Sequence, residues 1–126
     1  MKIEKSIDIE DEVRKALSSY FTIYCLPLPK NFKTPSLLVK IVSGSGHKID
    51  AYDVVLDARA KTPADAMDLL LEATATLKAV AHSQTTQLRY VIVNNTASWG
   101  TDPVRPELAL CSARMQIFTH KIEKEI

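Results

Sequence analysis

The sequence predicts an α+β domain in which a mainly antiparallel sheet carries two helices, in the order α-β-β-β-α-β-β. Three observations point to that class. A strand-like run from Tyr52 to Ala60 leads directly into a helix opened by Thr62-Pro63-Ala64-Asp65. Two apolar runs flank Ser43-Gly44-Ser45-Gly46 in the manner of a β-hairpin. Between Glu107 and Thr119, residues of opposite character alternate with the period of two that a half-buried strand requires.

Taken in order, the first element is a helix from about Asp8 or Ile9 to Tyr20. Ile9, Val13, Ala16, Leu17 and Tyr20 fall on one face, and Glu10, Asp11 and Glu12 place negative charge where the first turn leaves N–H groups unpaired. Phe21-Thr-Ile-Tyr-Cys25 is strand-like, but Pro27 and Pro29 cannot donate to a ladder, so the chain leaves the sheet in an extended loop. From Pro35, Ser-Leu-Leu-Val-Lys-Ile-Val reads as one arm of the hairpin, and Ser43–Gly46, with His47, as its flexible tip. In the second arm Tyr52, Val54, Leu56 and Ala58 share the core face, while Asp53, Val55 and Asp57 share a largely wet one.

The helix that follows is the most strongly signalled element. Thr62 can cap it, Pro63 suits its first position, and Asp65 and Asp68 complement its dipole. Ala66, Leu70, Ala73, Leu77, Val80 and Ala81 make one apolar stripe, ending near Ala81. Leu88-Arg-Tyr-Val-Ile-Val93 is a strand, and the Asn, Gly, Asp and Pro content of Asn94–Pro106 predicts an exposed loop. In the last strand Ala109, Cys111, Ala113, Met115 and Ile117 are the expected core face, and a charged tail, His120–Ile126, closes the chain.

Length and charge bound the function. A chain of 126 residues is the size of a single domain that can bury a core without metal or disulfides. Sixteen Lys and Arg against fifteen Asp and Glu lack the basic excess of a nucleic-acid footprint, so sequence-specific nucleic-acid binding is not expected. Cys25 and Cys111 have no zinc or redox spacing and read as reduced, buried thiols. No signal-peptide segment and no apolar run of membrane-spanning length is present, which predicts synthesis and retention in a cytoplasm without membrane association.

Catalytic patterns are missing. His47, His82 and His120 have no ligand spacing on one element. Ser43–Lys48 is too short for a phosphate loop and precedes a strand where a helix would be needed. Asp53 and Asp57, four apart on a strand, stand roughly 13 Å from each other, wide for an acid/base pair, and read as solvated. Ser112 lacks a nucleophile elbow. No catalytic residue, cofactor or metal ligand is assigned. Recognition rests instead on Trp99, an indole in a polar segment beside Gly100, and on Arg105, held between Val104 and Pro106; Ser45 and His47 at the hairpin tip complete the candidate partner-contact residues.

The order of elements, the Gly/Ser hairpin tip, the Thr62-Pro63-capped helix and Arg105-Pro106 ahead of Leu110-Cys-Ser-Ala-Arg-Met-Gln-Ile-Phe-Thr119 together resemble the small tail-terminator, or tail-completion, proteins of long-tailed bacteriophages. The resemblance implies a structural protein without enzymatic activity. It would form a ring, typically a hexamer, on the end of the tail tube protein and offer a joining surface to the head-completion or neck protein. Its place would be the virion tail, after assembly in the host bacterial cytoplasm. Two other readings stay open at this point: another neck, head-completion or minor tail component, and a small cytoplasmic enzyme or ligand-binding domain with a pocket between helices and sheet.

Overall fold

The computed structural model describes residues 1–46, 49–83 and 86–126. It has the expected α+β architecture and the expected order of elements, with a short strand added at each end of the chain. Strand β1 (Lys2–Lys5) precedes helix α1 (Ile9–Ser18), followed by β2 (Ile23–Cys25), β3 (Ser36–Gly46) and β4 (Ile49–Ala60). Helix α2 (Pro63–Ser83), β5 (Leu88–Thr101), β6 (Ala109–His120) and β7 (Ile122–Glu125) complete it. The main sheet has the order β2-β3-β4-β6-β5, antiparallel throughout except for the β2–β3 pair. No helix among the described residues is long and apolar enough to cross a membrane.

Both helices lie on one face of this sheet. Asp8 caps α1, its side chain accepting from the Asp11 N–H, and Ile9, Val13, Ala16 and Leu17 are buried. Tyr20, expected on that face, is 70% exposed, because the helix ends at Ser18 and the Tyr20 and Phe21 N–H groups both turn back to the Leu17 carbonyl. Phe21 packs against the core in its place. Helix α2 starts as expected, with Thr62 Oγ1 accepting from the Asp65 N–H at 3.1 Å. Its stripe of Ala66, Leu70, Ala73, Leu77 and Ala81 is buried against Val54, Leu56 and Ala58 of β4 and Cys111, Ala113, Met115 and Ile117 of β6.

Three expectations are corrected. Ser43–Gly46 is no turn: it is paired strand, Ser43 facing Asp53 and Gly46 facing Asp50, and the described glycines have no positive φ. Gly44 is needed for a different reason, since a Cβ there would stand 2.8 Å from the Tyr52 ring. Asn94–Thr101 is strand instead of loop. Strand β6 offers this segment a ladder at Asn95 and from Ser98 to Thr101, and two register irregularities between Val93 and Ser98 absorb the residues between. Finally, the charged tail pairs with the start of the chain, Lys2 opposite Glu125 and Lys5 opposite Ile122, in a separate two-stranded ribbon.

Leu70 and Leu77 are both fully buried beneath the sheet. Replacing either with Ala is expected to lower the unfolding free energy by about 2–5 kcal/mol in urea titrations. A loss under about 0.5 kcal/mol at both positions would contradict this packing.

Candidate interaction surface

The face of the sheet away from the helices divides into a covered end and a bare end. At the covered end, period-two alternation on β4 points Asp57 and Arg59 outward, yet they are only 2% and 6% exposed. This corrects the expectation of a wet strand face. Two connections fold over them, the segment between β2 and β3 carrying Phe32 and the segment between β5 and β6 carrying Asp102 and Arg105.

Buried charge demands partners, and the geometry provides them. Arg59 Nε donates to Asp102 Oδ2 at 2.6 Å, with both side chains buried. Asp57 accepts from Ser112 Oγ at 2.5 Å and has Lys40 Nζ 2.7 Å from its Oδ2, with an Arg59 nitrogen further away at 3.9 Å. The second Asp102 oxygen accepts from the Val104 and Arg105 N–H groups at 2.8 and 2.9 Å, which folds the 102–105 segment into a tight turn. Phe32 completes the lid, its ring 4.9 Å from the Arg105 guanidinium carbon and 5.9 Å from that of Arg59. Burial raises the Asp102 pKa, but the Arg105 N–H, the Arg59 guanidinium and the Val104 N–H outweigh it and leave the carboxyl below its ordinary value.

The candidate contact residues fall at separate places. Arg105 belongs to the cluster: its Nε meets Glu107 at 3.3 Å and another guanidinium N–H donates to the Phe32 carbonyl at 3.2 Å, so its charge is engaged within the chain. Trp99 lies on β5 opposite Cys111, at the open edge of the sheet, and is 53% exposed. Ser45, opposite Ala51, is exposed on β3. His47 lies outside the described residues. Near Ser45, buried Asp50 accepts from Lys121 Nζ at 2.6 Å, and Lys121 also reaches Ser6, tying both strands of the terminal ribbon, at one end, to the hairpin. The Lys121 hydrogen bond is the main reason that the Asp50 pKa is lowered.

At the bare end, Tyr90 and Ile92 on β5 and Val42 on β3 are 62%, 39% and 52% exposed, and Tyr90 stacks edge-on against Phe118 of β6. Asp53 is drawn to Ser43 Oγ, which donates at 2.9 Å, and stands 3.8 Å from Arg114, so the Asp53–Asp57 pair serves two different contacts. No group of three His, Cys, Asp or Glu side chains among the described residues could hold a metal ion. Cys111 is buried, and Cys25 is half-buried with its thiol pushed up to about 11 by burial and by Glu10. Buried apolar side chains line the layer between helices and sheet, and the described hollows lie at its margins, around Lys61, Asp65 and Asp68, between Phe21 and Val80, and between Ala81 of α2 and Val91 of β5.

Sequence reasoning missed Arg59, Asp102, Lys40 and Phe32. The one local signal was Asp57-x-Arg59, opposite charges two apart on a strand, which becomes informative only when something covers that face. In comparisons with known proteins, the sequence matches no family model and no curated protein.

The cluster has a pH signature. A carboxyl whose folded pKa lies below its unfolded value, near ~3.9, stabilises the fold above that value and ceases to do so as pH falls through the depressed one. Asp102→Asn is therefore expected to lower stability at neutral pH and flatten its decline between neutrality and strong acid. Arg59→Met, which leaves Asp102 buried and unpaired, is expected to cost about 3–5 kcal/mol by urea unfolding at pH 7. A cost under about 1 kcal/mol, as for a surface pair, would mean that the cluster does not hold the two connections down.

Proposed function

We propose that this chain is a structural subunit of a long-tailed phage virion, a tail terminator that caps the tail tube as a ring and presents the joining surface for the head. The similarity of its element order and motifs to that family motivates the reading. The observation that carries it is the one-sided sheet: two helices cover one face, while the hairpin end of the other leaves Val42, Tyr90 and Ile92 exposed beside open strand edges. Apolar groups standing at the two unprotected edges suit a subunit that meets neighbours there. Buried Leu70, Leu77, Met115 and Ile117 occupy the centre of the helix–sheet layer, which gives less support to a ligand pocket there.

On this reading the tail tube protein and the head-completion or neck protein are its other partners, and the work is mechanical closure of a growing tube. The test is a stop codon in this gene within a phage that carries it, followed by electron microscopy of the lysate. Tails of uncontrolled length, without heads, are the expected product. Tails of normal length joined to filled heads would overturn the proposal.

A further inference from the structure

Two strand edges of the main sheet are open, and they are open at the same level. On one side β2 covers β3 only along Leu37–Val39, so among the described residues Lys40–Gly46 has β4 as its sole partner strand. On the other side β5 pairs, among the described residues, with β6 alone. The registers run straight across: Ser43, Asp53, Gln116 and Ile92 form one row, and Ser45, Ala51, Phe118 and Tyr90 the next. The open part of β3 therefore stands level with Tyr90–Val93 of β5. The level covered by β2 stands across from Ser98 and Trp99 of β5, past the irregularity between Asn95 and Ser98, while other irregularities fall between Val93 and Asn95 and between Leu88 and Tyr90. Between those breaks Tyr90–Val93 of β5 is a regular open stretch, and its Tyr90–Ile92 part is level with Ser43–Ser45 of β3, which follows the irregularity between Ile41 and Ser43.

We propose that β5 of one copy pairs with the Ser43–Gly46 segment of β3 in the next, continuing the sheet from subunit to subunit. Strand polarity permits it. The three antiparallel pairs from β3 to β5 make those two strands run in opposite directions, so a neighbour placed by simple rotation presents its β3 antiparallel to β5. The chemistry suits it too. From Tyr90 to Thr101 β5 carries no charged residue or proline, the usual protections of an edge. The Ser-Gly-Ser-Gly segment lets another backbone approach closely. Tyr90 and Ile92 would then cover, and be covered by, the neighbour's edge around Val42. Joining unlike edges is the head-to-tail contact from which rings are built. The inference deepens the ring reading above and rests on it for closure.

Disulfide trapping tests it on the full chain. Ser45→Cys with Tyr90→Cys, or Ser43→Cys with Ile92→Cys, places two thiols on the same sheet face in level rows, within bonding reach if the strands pair. At millimolar concentration under mild oxidation, either double variant is expected to give a covalent ladder extending past the dimer. An equal mixture of the two matching single variants should stop at the dimer, and each single variant alone should stay monomeric on a non-reducing gel, as should the parent chain with Cys25 and Cys111. A covalent dimer from Tyr90→Cys or Ile92→Cys alone would mean that β5 pairs with itself, and would overturn the proposal. Larger species by sedimentation without any trapped pair would overturn the β5–β3 joint while leaving the ring intact. A strictly monomeric protein at that concentration would sink both this joint and the self-assembling ring.

Discussion

Strand β4 is paired along its whole length with β6 and from Asp50 to Arg59 with β3, and that constraint sets almost everything else. A strand so held has no freedom to slip, since one residue of slip would exchange its two faces. Val54, Leu56 and Ala58 are committed to the helices, and Asp53, Asp57 and Arg59 are committed to the opposite side. The first commitment determines where α2 must lie. The second places charge on a face that the 26–35 and 102–108 connections cross, and forces those connections to bring Asp102 and a stacking ring with them.

The two ends of the outer face are thereby given different tasks. Near Arg59 the face is closed by ion pairing and by Phe32, and its polar groups answer one another. Toward the hairpin the described residues place neither helix nor connection above the same face, and apolar side chains stand beside strand edges that have no partner among those residues. A charged cluster fixes geometry and resists change; an open edge with apolar flanks supplies free energy to whatever docks there. Exposed apolar surface and buried ion pairing are thus separated along one sheet by the length of a few residues.

How much of this could be read from residue types follows from how local each cause is. Thr62, Pro63 and the stripe from Ala66 to Ala81 act within one helix, and the alternation from Ala109 to Ile117 within one strand, so both were legible. The second half of β5 was not, because Asn94 to Gly100 favour turns in isolation and become strand only where β6 supplies a ladder. The terminal ribbon joins Lys2–Lys5 to Ile122–Glu125 across nearly the whole chain, and nothing in either segment announces the other. Burial of Asp57 and Arg59 likewise depends on connections distant in sequence. Ser45, chosen for a flexible tip, proves to sit on a strand edge, which changes the kind of contact it can make from an adaptable loop to a main-chain ladder.

The helix–sheet layer has one further property. Its inner surfaces carry alanine at Ala58, Ala60, Ala109 and Ala113 on the strands and at Ala66, Ala73 and Ala81 on α2, all buried. Added methylenes in such a layer force neighbours from their rotamers at a cost of about 1–3 kcal/mol each. A lineage descended from this chain can rewrite its surface, its hairpin tip and its charges, yet it is held to small side chains along these rows. In distant relatives, ancestry would be visible as a spacing of small residues long after identity had faded.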